Sequence, residues 1–98
     1  MVQGTTPTFV MTLPNSVDLT EAENVYFTLK QLTTTIQKDD PTVTAHEVSV
    51  YLSQEETLQL AVGNAQLQLN WTYANGERAC SNIVTVPITE NLIKEVLS

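Results

Sequence analysis

The chain has 98 residues, with 4 Lys and Arg against 11 Asp and Glu, and its formal net charge is -7. So few basic residues cannot build the cationic surface that phosphate backbones and anionic lipids require, which argues against nucleic-acid and membrane partners. No apolar run approaches the roughly 18 residues of a membrane-spanning helix, and the first residues lack the pattern of a secretory signal. We expect one domain over residues 1–98, because about 100 residues suffice for one core.

The composition favours β-structure. Threonine accounts for 15 residues, and its β-branched side chain fits the pleated surface of a sheet. Hydrophobic residues make up 42% of the chain, which is ordinary for a globular domain. Cys80 is the single cysteine, so an intramolecular disulfide is excluded.

Alternation of apolar and polar residues, the period of a half-buried strand, runs through the first part of the chain. It predicts strands over Thr8–Leu13, Val25–Lys30 and Thr33–Lys38. Proline, asparagine and aspartate close the first and third of these strands. Between the first two, Thr20 and Glu23 have the spacing of a capping box, which favours one helical turn.

The same alternation returns in the second part and predicts strands over Thr42–Leu52 and Ala65–Tyr73. Between them, Ser53 and Glu56 form a second capping-box pattern, which predicts a short helical turn over Gln54–Leu58 that crosses one end of the sheets. This turn is the only helical segment expected between the strands of this half.

Asn75-Gly76 is a strong hairpin signal, because a two-residue type I′ turn needs positive φ at both positions. Such a loop places Trp71 opposite Cys80 and Leu69 opposite Asn82. An amide on the core face is unfavourable, so we predict a bulge near Ser81-Asn82 or local hydrogen bonding by Asn82. Beyond it, Val84–Ile88 continues as a strand, and Pro87 indicates an edge or the strand's end.

The last segment, Thr89–Ser98, changes period. Four apolar residues recur at helical spacing and predict a short amphipathic helix: Leu92, Ile93, Val96 and Leu97. So short a helix needs a surface to pack on. Two interpretations stay open: the stripe caps its own sandwich, or it is a protein interface that docks on another chain. We expect truncation after Thr89 to lower stability or change the oligomeric state.

Six or seven short strands separated by turn signals in about 100 residues are typical of an immunoglobulin-like antiparallel β-sandwich. We therefore predict an all-β sandwich with one short crossing helical turn and a short C-terminal helix. A small, partly open barrel is the alternative.

The chain offers little material for catalysis, and no catalytic, cofactor or metal residues are predicted. His46 is interpreted as a strand-end histidine with a local partner, and Cys80 as a packed thiol. The carboxylate clusters lack the spacing of a calcium loop, so capping and solvation explain them. Trp71 shares the parity of the core leucines, whereas Tyr26 and Tyr51 have the opposite parity and are the exposed aromatic candidates.

Three segments together resemble small proteins encoded in the tail gene regions of phages and prophages of Gram-positive gut bacteria. They are Gly4–Pro14, Leu52–Leu58 and Ser81–Val86. The chain is also loosely similar to the immunoglobulin-like N-terminal domain of upper baseplate proteins. The resemblance implies a virion or virion-assembly protein of β-sandwich fold, made in the host cytoplasm, with no catalytic residues.

The leading hypothesis is a non-enzymatic structural or accessory protein of a phage tail or baseplate. Its partners would be other tail proteins or a second copy of itself, with no cofactor. A small adhesion or carbohydrate-binding module is the alternative, suggested by Tyr26 and Tyr51. A third hypothesis is an acidic inhibitor, which needs the carboxylates aligned along one face.

Overall fold

Strands make up most of the regular structure in the computed structural model, which describes residues 1–97. The strands are β1 (Thr8–Thr12), β2 (Ala22–Gln31), β3 (Thr34–Lys38), β4 (Thr42–Val43), β5 (Glu47–Tyr51), β6 (Gly63–Tyr73), β7 (Arg78–Cys80) and β8 (Val84–Ile88). A 3-10 turn covers Leu19–Glu21, and a one-turn helix, α1, covers Gln54–Thr57.

The strands form two antiparallel sheets that pack face to face. One sheet has the order β1-β5-β4, and the other has the order β3-β2-β6-β7, with β8 pairing the first part of β6. These orders correspond to strands B-E-D and C′-C-F-G of the immunoglobulin fold, with β7 and β8 together in the place of strand G. The predicted all-β sandwich is therefore confirmed.

The core lies between the two sheets and follows from the alternation of the strands. Phe27 and Leu29 of β2 are fully buried, as is Val48 of β5. The aromatic rings of Phe9 and Phe27 join the sheets, with their centroids 6.0 Å apart. Trp71 is only 3% exposed, so its predicted place in the core is confirmed.

The hairpin between β6 and β7 differs from the prediction by one residue. The Tyr73 N–H donates to the Glu77 carbonyl (2.9 Å), and the Gly76 N–H donates to the Tyr73 carbonyl (3.0 Å). The loop therefore has three residues, Ala74 to Gly76, and Trp71 pairs with Ala79 instead of Cys80. Asn75-Gly76 suits this loop equally well, because a type I turn followed by a left-handed glycine needs positive φ only at its last position.

Gly76 has φ of 88° and nothing within 4 Å of the position its Cβ would occupy. Gly76→Val should therefore lower the free energy of unfolding by about 1–2 kcal/mol through backbone strain alone, without a steric clash. Urea denaturation measures the loss. Gly76→Asn is the matched control, since asparagine tolerates this conformation and should lose less. An unchanged midpoint for the valine variant would contradict the turn assignment.

The strand that follows the hairpin is interrupted at Ser81–Ile83. Cys80 pairs with Asn70 whereas Val84 pairs with Leu67, so this side of the ladder contains one extra residue. The Leu69 N–H donates to the Ser81 hydroxyl (3.0 Å), and the Ser81 N–H donates to the Leu69 carbonyl (2.9 Å). The predicted irregularity near Ser81-Asn82 is present, and it keeps Asn82 out of the core.

The two helical turns depend on their caps. Ser53 and Glu56 form the predicted capping box at the start of α1. Burial raises the pKa of Glu56, but hydrogen bonds from Lys38 and from Ser53 outweigh it and leave this pKa below its ordinary value. The capping box predicted at Thr20 is wrong: Asp18 caps the 3-10 turn and accepts from the Thr20 N–H (2.9 Å).

The predicted C-terminal helix is wrong, because residues 89–97 contain no helix; Ser98 lies outside the described residues. Side-chain amides take the backbone groups that a helix would use internally. Asn91 Oδ1 accepts from the Ile93 N–H (3.1 Å). The Gln54 amide accepts from the Leu97 N–H (2.7 Å) and donates to its carbonyl (2.6 Å). The segment therefore has an irregular conformation and lies beside α1, where Gln54 binds Leu97.

Two connections close parts of the sandwich. On one side, residues 39–41 cross from β3 to β4 and join the two sheets. On the other side, Val2 pairs in parallel with Thr89, just after β8. There the Gln3 N–H donates to the Thr89 carbonyl (3.1 Å), and the Thr89 N–H donates to the Met1 carbonyl (2.8 Å). The rest of this side, where β1 faces β7, remains open.

Candidate functional site

An apolar groove of about 530 Å³ occupies the open side of the sandwich. Its lining comes from the end of β1, from β6 and from the interrupted strand β7–β8. No charged residue lines it; the residues that define its floor and rims are Met11, Leu13, Leu67, Leu69, Trp71 and Ala79. The groove exists because the two sheet edges that border it do not pair with each other.

The edge of β1 that borders this groove is unpaired in the described part of the chain. The Leu13 N–H donates to the His46 carbonyl (2.7 Å), and the Leu52 N–H donates to the Pro7 carbonyl (3.0 Å). Odd-numbered residues of β1 therefore bond to β5, and by alternation the backbone groups of Thr8, Val10 and Thr12 point away from it. In the immunoglobulin fold, strand A pairs with this edge.

The opposite rim is less regular, because Ser81–Ile83 leave the ladder. Cys80 is exposed there, which corrects the prediction of a packed thiol; the one-residue change of register places Ala79 on the core face instead. Trp71 lies in the groove floor, where its Nε1–H donates to the Tyr73 hydroxyl (3.0 Å). Of the two unpaired edges on this side of the molecule, β1 is thus the more regular template for pairing.

Carboxylates gather at the end of the sandwich where the groove opens. Asp18, Glu21 and Glu77 line an adjoining depression of about 500 Å³, and Glu47 lies opposite Thr12 in the β1–β5 ladder. The Thr20 hydroxyl, together with the Thr20 N–H, holds the pKa of Asp18 below its ordinary value. The ion pairs within residues 1–97 involve none of these four carboxylates. This end of the groove therefore carries an excess of negative charge.

His46 has a hydrogen-bond partner, but the prediction of a local one is wrong, because the partner lies 29 residues away in the chain. Its Nδ1–H donates to the Val17 carbonyl (2.6 Å), and its own carbonyl accepts from Leu13. The histidine thereby holds the loop that forms one wall of the groove.

Within residues 1–97, no group of three or more His, Cys, Asp and Glu side chains is arranged to hold a metal ion.

The two exposed aromatic candidates lie on opposite outer faces. Tyr26 of β2 is half-buried on the larger sheet beside Asn70 and Arg78. Tyr51 of β5 is 58% exposed on the smaller sheet. They cannot form one stacking platform, so a carbohydrate site would have to use one of the two rings alone.

The four residues of the predicted C-terminal interface are at least half exposed, which argues against the interpretation that they cap their own sandwich. Their exposed fractions are 90% for Leu92, 52% for Ile93, 53% for Val96 and 58% for Leu97. Contact with another chain is the interpretation that stays open, and it remains a prediction.

Truncation after Thr89 should lower the free energy of unfolding by about 1–2 kcal/mol, because it removes the hydrogen bonds that Asn91 and Lys94 make to Gln3 and that Leu97 makes to Gln54. We expect the shortened chain to lose self-association, measured by sedimentation velocity. The matched control keeps the backbone and replaces all four apolar residues with glutamine; it should keep the stability of the wild-type chain and lose self-association. Identical sedimentation of all three chains would contradict an interface role.

Sequence reasoning missed the groove because its walls are far apart in the chain. The one local signal was the irregularity predicted at Ser81-Asn82, which marks where a rim leaves the ladder.

No helix in residues 1–97 combines the length and apolar character needed to cross a bilayer. Comparison of the chain with protein-family models, with curated proteins and with solved structures finds no match.

Proposed function

We propose that the chain is a non-enzymatic binding module that acts through protein–protein contacts, as a structural or accessory component of a phage or prophage tail or baseplate. The observation that carries the protein-binding part is the apolar groove of about 530 Å³ beside the unpaired edge of β1. The tail assignment is supported by the resemblance of three sequence segments to tail-region proteins.

A groove next to a free strand edge suits a protein partner better than a small molecule. An added strand gains backbone hydrogen bonds along β1, while its side chains fill apolar space in the groove. Unprotected strand edges also invite unwanted pairing, and proteins usually cover them. A protein that leaves β1 open beside an apolar groove is well suited to a partner that covers both.

Mass spectrometry of purified virions tests the proposal. We expect peptides of this chain in intact particles, in a fixed ratio to known tail proteins across the gradient. The control is a host protein of similar size and abundance, which should fall away with purification. Absence of the chain both from particles and from isolated tail-assembly intermediates would contradict the tail assignment.

A carbohydrate-binding role is the second candidate, favoured by the outer face of the larger sheet. The outward side chains of β6 are amides and hydroxyls, and Arg78 donates to Asn70 Oδ1 through Nε (3.3 Å) and Nη2 (3.0 Å). Tyr26 lies beside them in a depression of about 330 Å³. A glycan array probed with the wild-type chain and with Tyr26→Ala tests this role; hits that survive in the alanine variant would contradict it.

A further inference from the structure

We propose, resting on the protein-binding function above, that the groove receives an extended segment of another protein that pairs with β1, alternates apolar with polar side chains, and carries basic residues at the end nearest Thr12. This chemistry of the partner goes beyond the general function of a protein-binding module.

Pairing follows from the free backbone groups of β1. Thr8, Val10 and Thr12 each direct an N–H and a carbonyl away from β5, at every second residue of a regular strand. Within residues 1–97, β1 pairs with β5 only. One extended segment of about five residues would satisfy these groups along the whole edge.

The apolar alternation follows from the position of the groove. A strand added beside β1 continues its sheet, so every second side chain points into the sandwich, toward Leu69 and Trp71. The remaining side chains point to the outer face, where Val10 is 59% exposed. The partner therefore needs small or medium apolar residues at alternate positions and polar residues between them.

The basic end follows from charge. Asp18, Glu21 and Glu77 line the depression that adjoins the end of the groove near Thr12, and Glu47 pairs with Thr12 on the neighbouring strand β5. None of the four has a salt-bridge partner among residues 1–97. The groove lining itself is uncharged. Lysine or arginine beyond the apolar stretch would meet these carboxylates, which favours binding in one direction and excludes acidic segments.

A second copy of the folded chain does not fit this role. If two copies paired through β1, the inward side chains Phe9 and Met11 of each would stay in their own cores, and both grooves would remain unfilled. The occupant is instead a segment without a core of its own.

The probe is an acetylated peptide of about ten residues in which valine alternates with threonine and one end carries two arginines. Two forms, with the arginines at the N- or the C-terminus, cover both strand directions. Trp71 is the only tryptophan and lies in the groove floor, so its fluorescence reports binding. We expect one form to bind, and amide exchange to slow at Thr8, Val10 and Thr12 but not at Phe9 or Met11.

Two control peptides separate the parts of the proposal. Glutamate in place of arginine should weaken binding at least about tenfold, because it faces the same carboxylates. A second control peptide has the same composition, but its valines and its threonines are grouped in separate blocks. It should bind as weakly as the glutamate peptide, because half of its apolar residues then face outward. Equal binding of these peptides, or no binding by either arginine form, would overturn the proposal.

Val10→Pro removes the central edge N–H without touching the ladder to β5, since proline is tolerated on edge strands. It should weaken peptide binding at least about tenfold, whereas Thr35→Pro in the edge strand β3 should leave it unchanged. Circular dichroism confirms that both variants fold. A wild-type dimer that Val10→Pro dissociates would identify a second copy as the occupant and overturn the proposal.

Incorporation into particles distinguishes failure of this proposal from failure of the proposed function. If virions contain the wild-type chain but not the Val10→Pro variant, both the tail function and the groove proposal are supported. Normal incorporation of Val10→Pro leaves the tail function standing and overturns the groove proposal. Absence of the wild-type chain overturns the tail assignment, and the peptide experiments then decide the groove proposal independently.

Discussion

Replacing Trp71 with alanine should lower the free energy of unfolding by about 3–5 kcal/mol. The indole is only 3% exposed, and it fills the space between β6 and the β1 side of the sandwich. Its removal leaves a cavity that the surrounding strands cannot close, and it takes away the donor that binds the Tyr73 hydroxyl (3.0 Å). Urea denaturation followed by circular dichroism measures the loss, since the variant has no tryptophan fluorescence.

The matched control is Tyr51→Ala, which removes an aromatic ring that is 58% exposed and should change stability by no more than about 0.5 kcal/mol. A loss below about 1 kcal/mol for Trp71→Ala would contradict the core assignment. It would also make the ring a candidate for stacking on a carbohydrate.

Phe27→Ala should also cost about 3–5 kcal/mol, because the ring of Phe27 is completely buried between the sheets. Phe9, its aromatic neighbour from the opposite sheet, is half-buried and should cost less when replaced with alanine. Chemical denaturation of both single variants gives the two losses. A larger loss for Phe9→Ala would place the centre of the core nearer β1 than the structure does.

The double variant measures how strongly the rings hold the sheets together. The ring centroids are 6.0 Å apart at an angle of 35°. Aromatic pairs in this range contribute about 0.5–1.5 kcal/mol beyond the area they bury, so the two losses should not be additive. Strict additivity would show that each ring packs on aliphatic neighbours and that the ring pair itself contributes nothing.

Most strands were predictable because their alternation has a direct physical meaning: a half-buried strand needs apolar residues on one face. The single strand predicted over Thr42–Leu52 is wrong, because the chain turns back there and β4 pairs with β5. The parities of Trp71 and Val48 followed from the alternation and are confirmed. The hairpin register did not follow, since Asn75-Gly76 fits a two-residue and a three-residue loop almost equally. That difference of one residue moved Cys80 from the expected core face to the surface.

The candidate site was mostly beyond sequence reasoning. Its walls come from β1 and β7–β8, and only tertiary pairing shows which strand edges stay unpaired. The C-terminal helix failed for a related reason: the spacing of Leu92 and Val96 is helical, but the amides of Asn91 and Gln54 compete for the backbone. Such competition depends on neighbours that periodicity does not show.

The pairing of β2 with β6 has a consequence for the kinetics of folding. Between these central strands the chain passes through β3, β4, β5 and α1, so their pairing closes a long loop. The β2–β3 and β6–β7 hairpins close short loops and can form within microseconds, ahead of the central pairing. The transition state must then bring two preformed hairpins together across this loop, which places the protein among domains that fold in milliseconds to seconds.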